Sequence, residues 1–385
     1  MNRYFLQGIL ATALLVTPAA PATSQAAAAR STLWSKAEAG EWMKRHGWLT
    51  GANYIPANAI NQLEMWQAST WDPATIDREL GWAKRFGMNT MRVYLHDLAY
   101  EQDPAGFKQR VAEFLAIAAK HEIRPMFVLF DSCWDPHPAI GPQHRPIPGV
   151  HNSGWLQSPG REDLIDPAEE AGFKRYVEDV IGTFAKDDRV LAWDLWNEPD
   201  NVGGGSFSEE ERAVESRRIA ALLPRVFAWA RSRRPIQPLT SGVWAGGDWS
   251  PGSKALNAVQ KTQLSQSDVI TFHDYSWPET FESRIAQLRP YGRPIICTEW
   301  LARSAGSTVD TVLPIAHREG VGMINWGFVQ GKIQTHLPWD SWDRPYVQQQ
   351  PTVWFHDLLR ADGTPYRTRE AEIFSTLRRT AQAAE

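Results

Sequence analysis

Two glutamates about a hundred positions apart are the residues best suited to chemistry. Glu198 stands in Trp193-Asp194-Leu195-Trp196-Asn197-Glu198-Pro199, and Glu299 in Arg293-Pro-Ile-Ile-Cys-Thr-Glu299-Trp300. Each closes a short apolar run of strand type, so each carboxylate falls at a strand's C-terminal end. A carboxylate next to an amide side chain, as Glu198 is next to Asn197, suits a general acid with a neighbouring donor for a substrate hydroxyl. Simple alternation puts Ile295, Cys297 and Glu299 on one face of their strand, which aims Glu299 at the space the strand ends enclose. Two carboxylates facing each other can cleave a glycosidic bond. About 5 to 5.5 Å between them suits retention of configuration, and about 6.5 to 9.5 Å suits inversion.

The elements that must hold these residues alternate between short apolar runs and segments of helical period, the pattern of βα units around a parallel sheet. Eight runs qualify as strands: 48–54, 89–95, 125–130, 190–195, 237–243, 269–272, 294–298 and 322–326. Helical faces follow them, with Phe107, Val111, Phe114, Leu115 and Ala118 on one and Phe173, Tyr176, Val177, Val180, Ile181 and Phe184 on another. Ile76, Leu80 and Ala83, then Phe281, Ile285 and Leu288, make shorter faces, and Pro314 is expected to interrupt the helix after the seventh strand. Eight such units predict an α/β fold of the (β/α)8 TIM barrel type, with active-site loops at the C-terminal ends of the strands. No Gly-rich dinucleotide fingerprint follows the first strand, which disfavours a doubly wound sheet. The connections after the third strand (131–166) and the eighth (327–352) are long and rich in Pro, Trp and His, as functional loops are.

Composition narrows the partners. The 385 residues carry 40 Lys and Arg against 44 Asp and Glu, a net charge of -4, with no basic run to neutralise a phosphate backbone, so nucleic acid is not an expected partner. Nineteen tryptophans exceed what a core demands, and indoles suit flat amphipathic ligands such as sugars. Trp134, Trp155, Trp339 and Trp342 are candidate sugar contacts in the two long loops, with plain loop packing the alternative for two of the four. Asn53, Glu64 and Trp66, after the first strand, either line the same pocket or serve the fold. Residues 1–29 read as a cleavable export leader: Arg3, an apolar stretch from Phe5 to Val16, then an Ala-rich tract ending at Ala29. That stretch is shorter than the roughly 20 residues a membrane span needs. The expectation is a secreted or periplasmic protein, not held in the membrane after leader removal, whose residues 30–385 form one catalytic domain. Cys133 and Cys297, assigned to the third and seventh strands, are expected to be buried free thiols.

Other chemistries fit less well. His121-Glu122 lacks the second histidine of a zinc protease helix because Pro125 occupies its place, and Gly203-Gly204-Gly205 lacks the Lys and Ser/Thr of a phosphate loop. No G-x-S-x-G elbow suggests an esterase.

With Asn197-Glu198-Pro199, His273-Asp274-Tyr275 and Thr298-Glu299-Trp300 in this order, the sequence resembles clan A retaining glycoside hydrolases and looks most like the family 5 cellulase and mannanase group. The resemblance spans the barrel. It implies that Glu198 is the acid/base and Glu299 the nucleophile, that Tyr275 donates a hydrogen bond to Glu299, and that His273 stands near Glu198. It also implies that Arg92 supports the nucleophile and that Trp326 is a platform under the sugar at the cleaved bond. A phenol donor would keep one carboxylate ionised, dividing the pair into nucleophile and acid. The chain departs from typical family 5 cellulases at Phe130-Asp131-Ser132-Cys133-Trp134, where a histidine would often be found. The expected activity is double-displacement hydrolysis of β-linked oligo- or polysaccharides, cellulase-, xylanase- or mannanase-like, with no metal or organic cofactor. A transglycosylase using the same two glutamates and a non-catalytic sugar-binding barrel are the alternatives. Long loops on both flanks of the mouth favour a pocket for chain ends over an open groove.

Overall fold

Eight short runs rich in β-branched and aromatic residues pair as parallel strands in the computed structural model, which describes residues 32–201 and 208–384. They are β1 Thr50–Tyr54, β2 Thr90–Tyr94, β3 Arg124–Asp131, β4 Ala192–Asn197, β5 Leu239–Thr240, β6 Ile270–His273, β7 Ile295–Glu299 and β8 Gly322–Asn325. All eight expected strands are present, in the order β5-β4-β3-β2-β1-β8-β7-β6, and the neighbours are parallel throughout. The gap between β5 and β6 is bridged at Val243, whose N–H donates to the Thr271 carbonyl at 3.1 Å and whose carbonyl accepts from His273 at 2.9 Å. The ring is therefore that of a (β/α)8 barrel. The expected fifth strand shrinks to two residues because side chains replace its ladder: the Ser241 hydroxyl donates to the Trp196 carbonyl at 2.8 Å, and that of Thr240 to the Val269 carbonyl at 2.9 Å.

Apolar side chains divide into an inner and an outer layer. Leu49, Met126, Ala192, Val269, Ile296 and Ile324 come from six places around the ring yet form one cluster, which only the barrel interior allows. Trp34, Ala39 and Trp42 close its base. The last two lie on helix Lys36–His46, whose start is fixed by a reciprocal cap between Ser35 and Glu38. The outer layer joins strands to helices, and Ile295 and Cys297 belong to it. Alternation holds from Ile295 to Cys297, with Ile296 pointing inward, and contrary to expectation Glu299 does not share a face with Ile295 and Cys297. Glu299 reaches the interior because the β6–β7 register shifts: Phe272 pairs with Cys297, but His273 pairs with Glu299, so Thr298 is passed over. A bulge of this kind re-aims the side chains beyond it.

The helix after β7 runs unbroken as Val309–Glu319 with Pro314 inside. Burial of Val309, Val312, Leu313 and Ala316 against the barrel outweighs the one lost backbone hydrogen bond. Among the described residues no helix is long and apolar enough to cross a membrane. The leader assigned to 1–29 and the connection at Gly203–Gly205 lie outside the described residues. Both cysteines are buried and unpaired, but Cys133 lies two residues beyond the end of β3, in the loop rather than on the strand.

Candidate active site

Arg92 on β2 organises the floor of the barrel mouth. Fully buried, it is affordable only because every face of its guanidinium meets an oxygen. Nε and Nη2 donate to Asp194 at 3.0 and 2.8 Å, Nη2 also to the Asn197 side-chain oxygen at 2.7 Å, and Nη1 to Asn53 at 2.8 Å and to Glu299 at 2.9 Å. Nη1 further contacts the hydroxyl of Tyr94. Five residues from β1, β2, β4 and β7 are thereby locked around one charge.

Glu299 collects donors. Arg92 and the Tyr94 hydroxyl, at 2.9 Å, share Oε1, and the Tyr275 hydroxyl donates to Oε2 at 2.8 Å. Burial on its own would push this carboxyl up. The nearby His273, the Arg92 guanidinium and the two phenols outweigh that and hold it below the ordinary carboxylate value. An anion so held has the chemistry a nucleophile needs.

Glu198 is built differently. It sits in a left-handed conformation, φ 42°, at the end of β4, and its Oε1 lies 2.7 Å from His273 Nδ1. Oε2 accepts from Asn201 at 2.6 Å and from the Cys133 thiol at 3.4 Å. Burial and the neighbouring Glu198 carboxylate push the Cys133 thiol well up, so it remains a donor. A ring nitrogen that exchanges roles with its tautomer can share a proton with Glu198 at 2.7 Å, and the same nitrogen stands farther from Glu299, 3.5 Å from its Oε2. Oxygens of the two glutamates and a nitrogen of His273 lie within 4.8 Å of one another. Such a trio could also ligate a cation, but the Arg92 charge already compensates Glu299.

Above the carboxylates lies a cavity of about 730 Å³. Trp326, at the end of β8, meets Tyr94 and Trp155 edge-to-face at 6.0 and 5.4 Å, so its orientation is fixed from two sides. Trp134, Trp155, Trp339 and Trp342 all line the cavity, as do Asn197 and Tyr275. Trp134, Trp339 and Trp342 keep 38%, 45% and 55% of their surface exposed, which sets them apart from the core.

Of the two roles open to Asn53, Glu64 and Trp66, the structure places all three in the fold rather than on the cavity wall. Asn53 is buried beneath it, donating to the carbonyls of Thr298 and Asn325 and accepting from Arg92. Glu64 accepts from the Ile60 N–H at 2.7 Å and pairs with Lys332 at 2.5 Å, tying the β1 loop to the β8 loop. Trp66 is wholly buried, stacks on Trp71 at 5.4 Å and donates to the Tyr94 carbonyl at 2.7 Å, which makes it core. The departure at 131–134 also resolves. Asp131 accepts from Asn197 at 2.9 Å and from Trp155 at 2.7 Å, and burial pushes its pKa up to about 7. Sequence reasoning passed over Tyr94, Asn201, Trp244 and His151. Tyr94 alone left a signal, since it stands two residues after Arg92 on the same face.

A ring of parallel βα units with paired carboxylates in a Trp-lined mouth defines an O-glycosyl hydrolase. The family model described as cellulase (glycosyl hydrolase family 5) matches residues 59–332, and the chain belongs to that family. No curated protein matches in sequence. Among solved structures, the exo-β-1,4-mannosidase Op5Man5 from Opitutaceae bacterium strain TAV5 is similar with a TM-score of 0.60 at 18% identity, over 88% of this chain and 60% of that one. The endo-β-1,4-mannanase from Thermotoga petrophila gives 0.56 at 15%, over 89% and 79%. GH5_18 from Streptomyces cattleya, in complex with GlcNAc, gives 0.57 at 13%, over 88% and 82%. At these identities the likeness concerns the fold.

Proposed function

We propose that the protein is a retaining β-glycosidase acting on β-linked oligo- or polysaccharides, with Glu299 as nucleophile and Glu198 as acid/base. The observation that carries this is the unequal treatment of two carboxylates whose oxygens approach within 4.8 Å: three fixed donors on Glu299, a shared imidazole on Glu198. A spacing of that order supports a direct attack, being nearer the retaining separation than the inverting one. In the first step Glu299 attacks the anomeric carbon while Glu198 protonates the departing oxygen. In the second, Glu198 takes a proton from water, which displaces Glu299 with the configuration restored. Arg92, Tyr94 and Tyr275 hold the nucleophile, and Trp326 lies under the reacting sugar. The mannosidase and the mannanase among the similar folds favour β-1,4-mannosides, with β-1,4-glucosides next.

A 2-deoxy-2-fluoro β-mannoside or β-glucoside with a dinitrophenolate leaving group should add one glycosyl group at Glu299, seen as a mass increase of the intact protein. NMR of the first product should show the β anomer, and an α product would sink the mechanism. We also read residues 1–29 as an export leader. Terminal sequencing of the protein recovered from periplasm or medium should begin after Ala29, and an intact Met1 would refute that reading.

A further inference from the structure

The long loops after β3 and β8 do not lie apart. The Asn152 N–H donates to the Ile333 carbonyl at 2.7 Å, the His151 N–H to Ser341 Oγ at 2.9 Å, and the Tyr346 N–H to the Gly149 carbonyl at 2.8 Å. The Gln334 amide donates back to the carbonyls of Ile147 and Val150 at 2.8 and 3.0 Å. The β1 loop joins them, with Asn61 donating to the Gly154 carbonyl at 3.0 Å and the Lys332 N–H to the Ala57 carbonyl at 2.9 Å. The three loops make one wall over the adjacent strands β8, β1, β2 and β3. Across the ring, Trp244 follows β5 and donates to Asp200 at 2.7 Å, on the side of Glu198 where a leaving group would depart. The wall therefore stands at the end of the cleft away from the leaving group.

Two polar side chains in that wall have unused capacity. His151 lines the cavity with Nδ1 committed to the Leu337 carbonyl at 2.8 Å, which fixes Nδ1 as donor and leaves Nε2 a bare acceptor facing the cavity. Burial holds its pKa down to about 4, so the ring is neutral. Asn152 also lines the cavity, is 2% exposed, and neither its amide nitrogen nor its oxygen has a hydrogen-bond partner among the described residues. Buried amides are seldom left so, and both atoms are sealed from solvent beside the cavity the residue lines, so a small turn of the side chain would bring them to a ligand's hydroxyls. Its backbone is left-handed, φ 48°, a conformation asparagine adopts more readily than other residues with a Cβ, and the Ile333 hydrogen bond holds it there.

We propose that His151 and Asn152 form a terminal-sugar site: they read hydroxyls of the non-reducing end residue of a β-linked chain, and with the wall behind them confine attack to that end. The inference rests on the glycosidase reading above. A terminal ring offers free hydroxyls to an acceptor nitrogen and to a carboxamide that both donates and accepts, whereas an internal ring has one of those oxygens in a linkage and a chain continuing into the wall. The residues matter before bond cleavage, so their loss should fall on KM more than on kcat.

The test uses mannopentaose and cellopentaose labelled with ¹⁸O at the reducing end, together with dinitrophenyl β-mannoside and β-glucoside and their 3-, 4- and 6-deoxy analogues. Wild-type protein should release small unlabelled sugars first, and at least one deoxy position should lower kcat/KM about tenfold, the scale of one hydrogen bond lost to a buried partner. His151→Asn keeps a donor for the Leu337 carbonyl while removing Nε2, and Asn152→Gly keeps the left-handed backbone while removing the amide. Each should raise KM about tenfold at unchanged melting temperature and erase the matching deoxy penalty. First-turnover products from mid-chain, or deoxy penalties that persist in both variants, would overturn the terminal site even where the fluoro-glycoside labels Glu299. Absence of that label in wild-type protein would bring down the glycosidase reading and this one with it.

Discussion

At the scale of single residues, the two glutamates differ in what they can do with a proton. Both carboxylates have partners on each oxygen, but Glu299 is held by Arg92 and two phenols, whereas Glu198 shares Oε1 with the His273 imidazole beside Asn201 and Cys133 on Oε2. Glu198→Ala should therefore lower hydrolysis of substrates with poor leaving groups by about 10²- to 10⁴-fold, the usual worth of a positioned acid, and spare activated aryl glycosides in the first step. Azide should restore turnover of those activated substrates and yield the β-glycosyl azide. Loss of activity equal for both leaving-group classes, with no azide product, would remove Glu198 from the acid/base role. These residues were legible because they sit in short motifs at strand ends, where a single barrel position ties residue type to task. Asn201 and Cys133 were not. Asn201 reaches Glu198 by a fold-back of three residues outside any motif, Cys133 reaches it from the β3 loop, and nothing in a run such as Asp131-Ser132-Cys133-Trp134 says which carboxylate it will meet.

At the scale of elements, strand existence followed from apolar runs, but facing did not. The inward turn of Glu299 depends on the register shift between β6 and β7, a pairing between segments some twenty residues apart that the pattern of either strand cannot reveal. The loops were legible as functional by length and composition, yet their mutual stitching is a matter of backbone carbonyls, which sequence does not display. Gly149 tests that stitching. It has φ 76°, and a Cβ there would come within 2.6 to 2.8 Å of the backbone of Tyr346 and Val347, so Gly149→Ala must break the Tyr346-to-Gly149 hydrogen bond or move the wall. Overpacking of this size costs about 1 to 3 kcal/mol locally. The barrel does not depend on the loop, so the melting temperature should fall little while the cleft opens at one end. On a soluble polymer the variant should lower viscosity faster per reducing end formed than wild-type protein does. Identical viscosity curves would mean that the wall does not set the mode of attack.

At the scale of the whole molecule, the barrel tolerates buried charge where it is paired: Arg92 with Asp194, Arg231 with Asp268 and Arg303 with Glu370 at 2.8, 3.0 and 2.6 Å. Glu79 lacks such a match. It is fully buried on helix Pro73–Phe86, accepts from the Tyr54 hydroxyl at 3.1 Å and the Ala57 N–H at 3.2 Å, and has only the half-exposed Arg78 at 3.6 Å for a countercharge. Burial pushes its pKa up to about 7 from the ordinary 4.5, against the weaker pull of those partners. The folded state then holds a proton that the unfolded chain releases first, so this group's contribution is complete below about pH 4.5 and is lost as pH rises towards 7. Glu79→Gln keeps an acceptor for Tyr54 and Ala57 and cannot ionise. At pH 8 the variant should exceed wild-type stability by at most about 3 kcal/mol, the free energy of a shift that size, less a small offset for the partly solvated Arg78 pair. Urea melts at pH 8, 6.5 and 5 should show the advantage shrinking in that order. An advantage independent of pH would mean that the substitution acts through packing, and a variant less stable at pH 8 would mean that Glu79 is held as an anion by Arg78 after all.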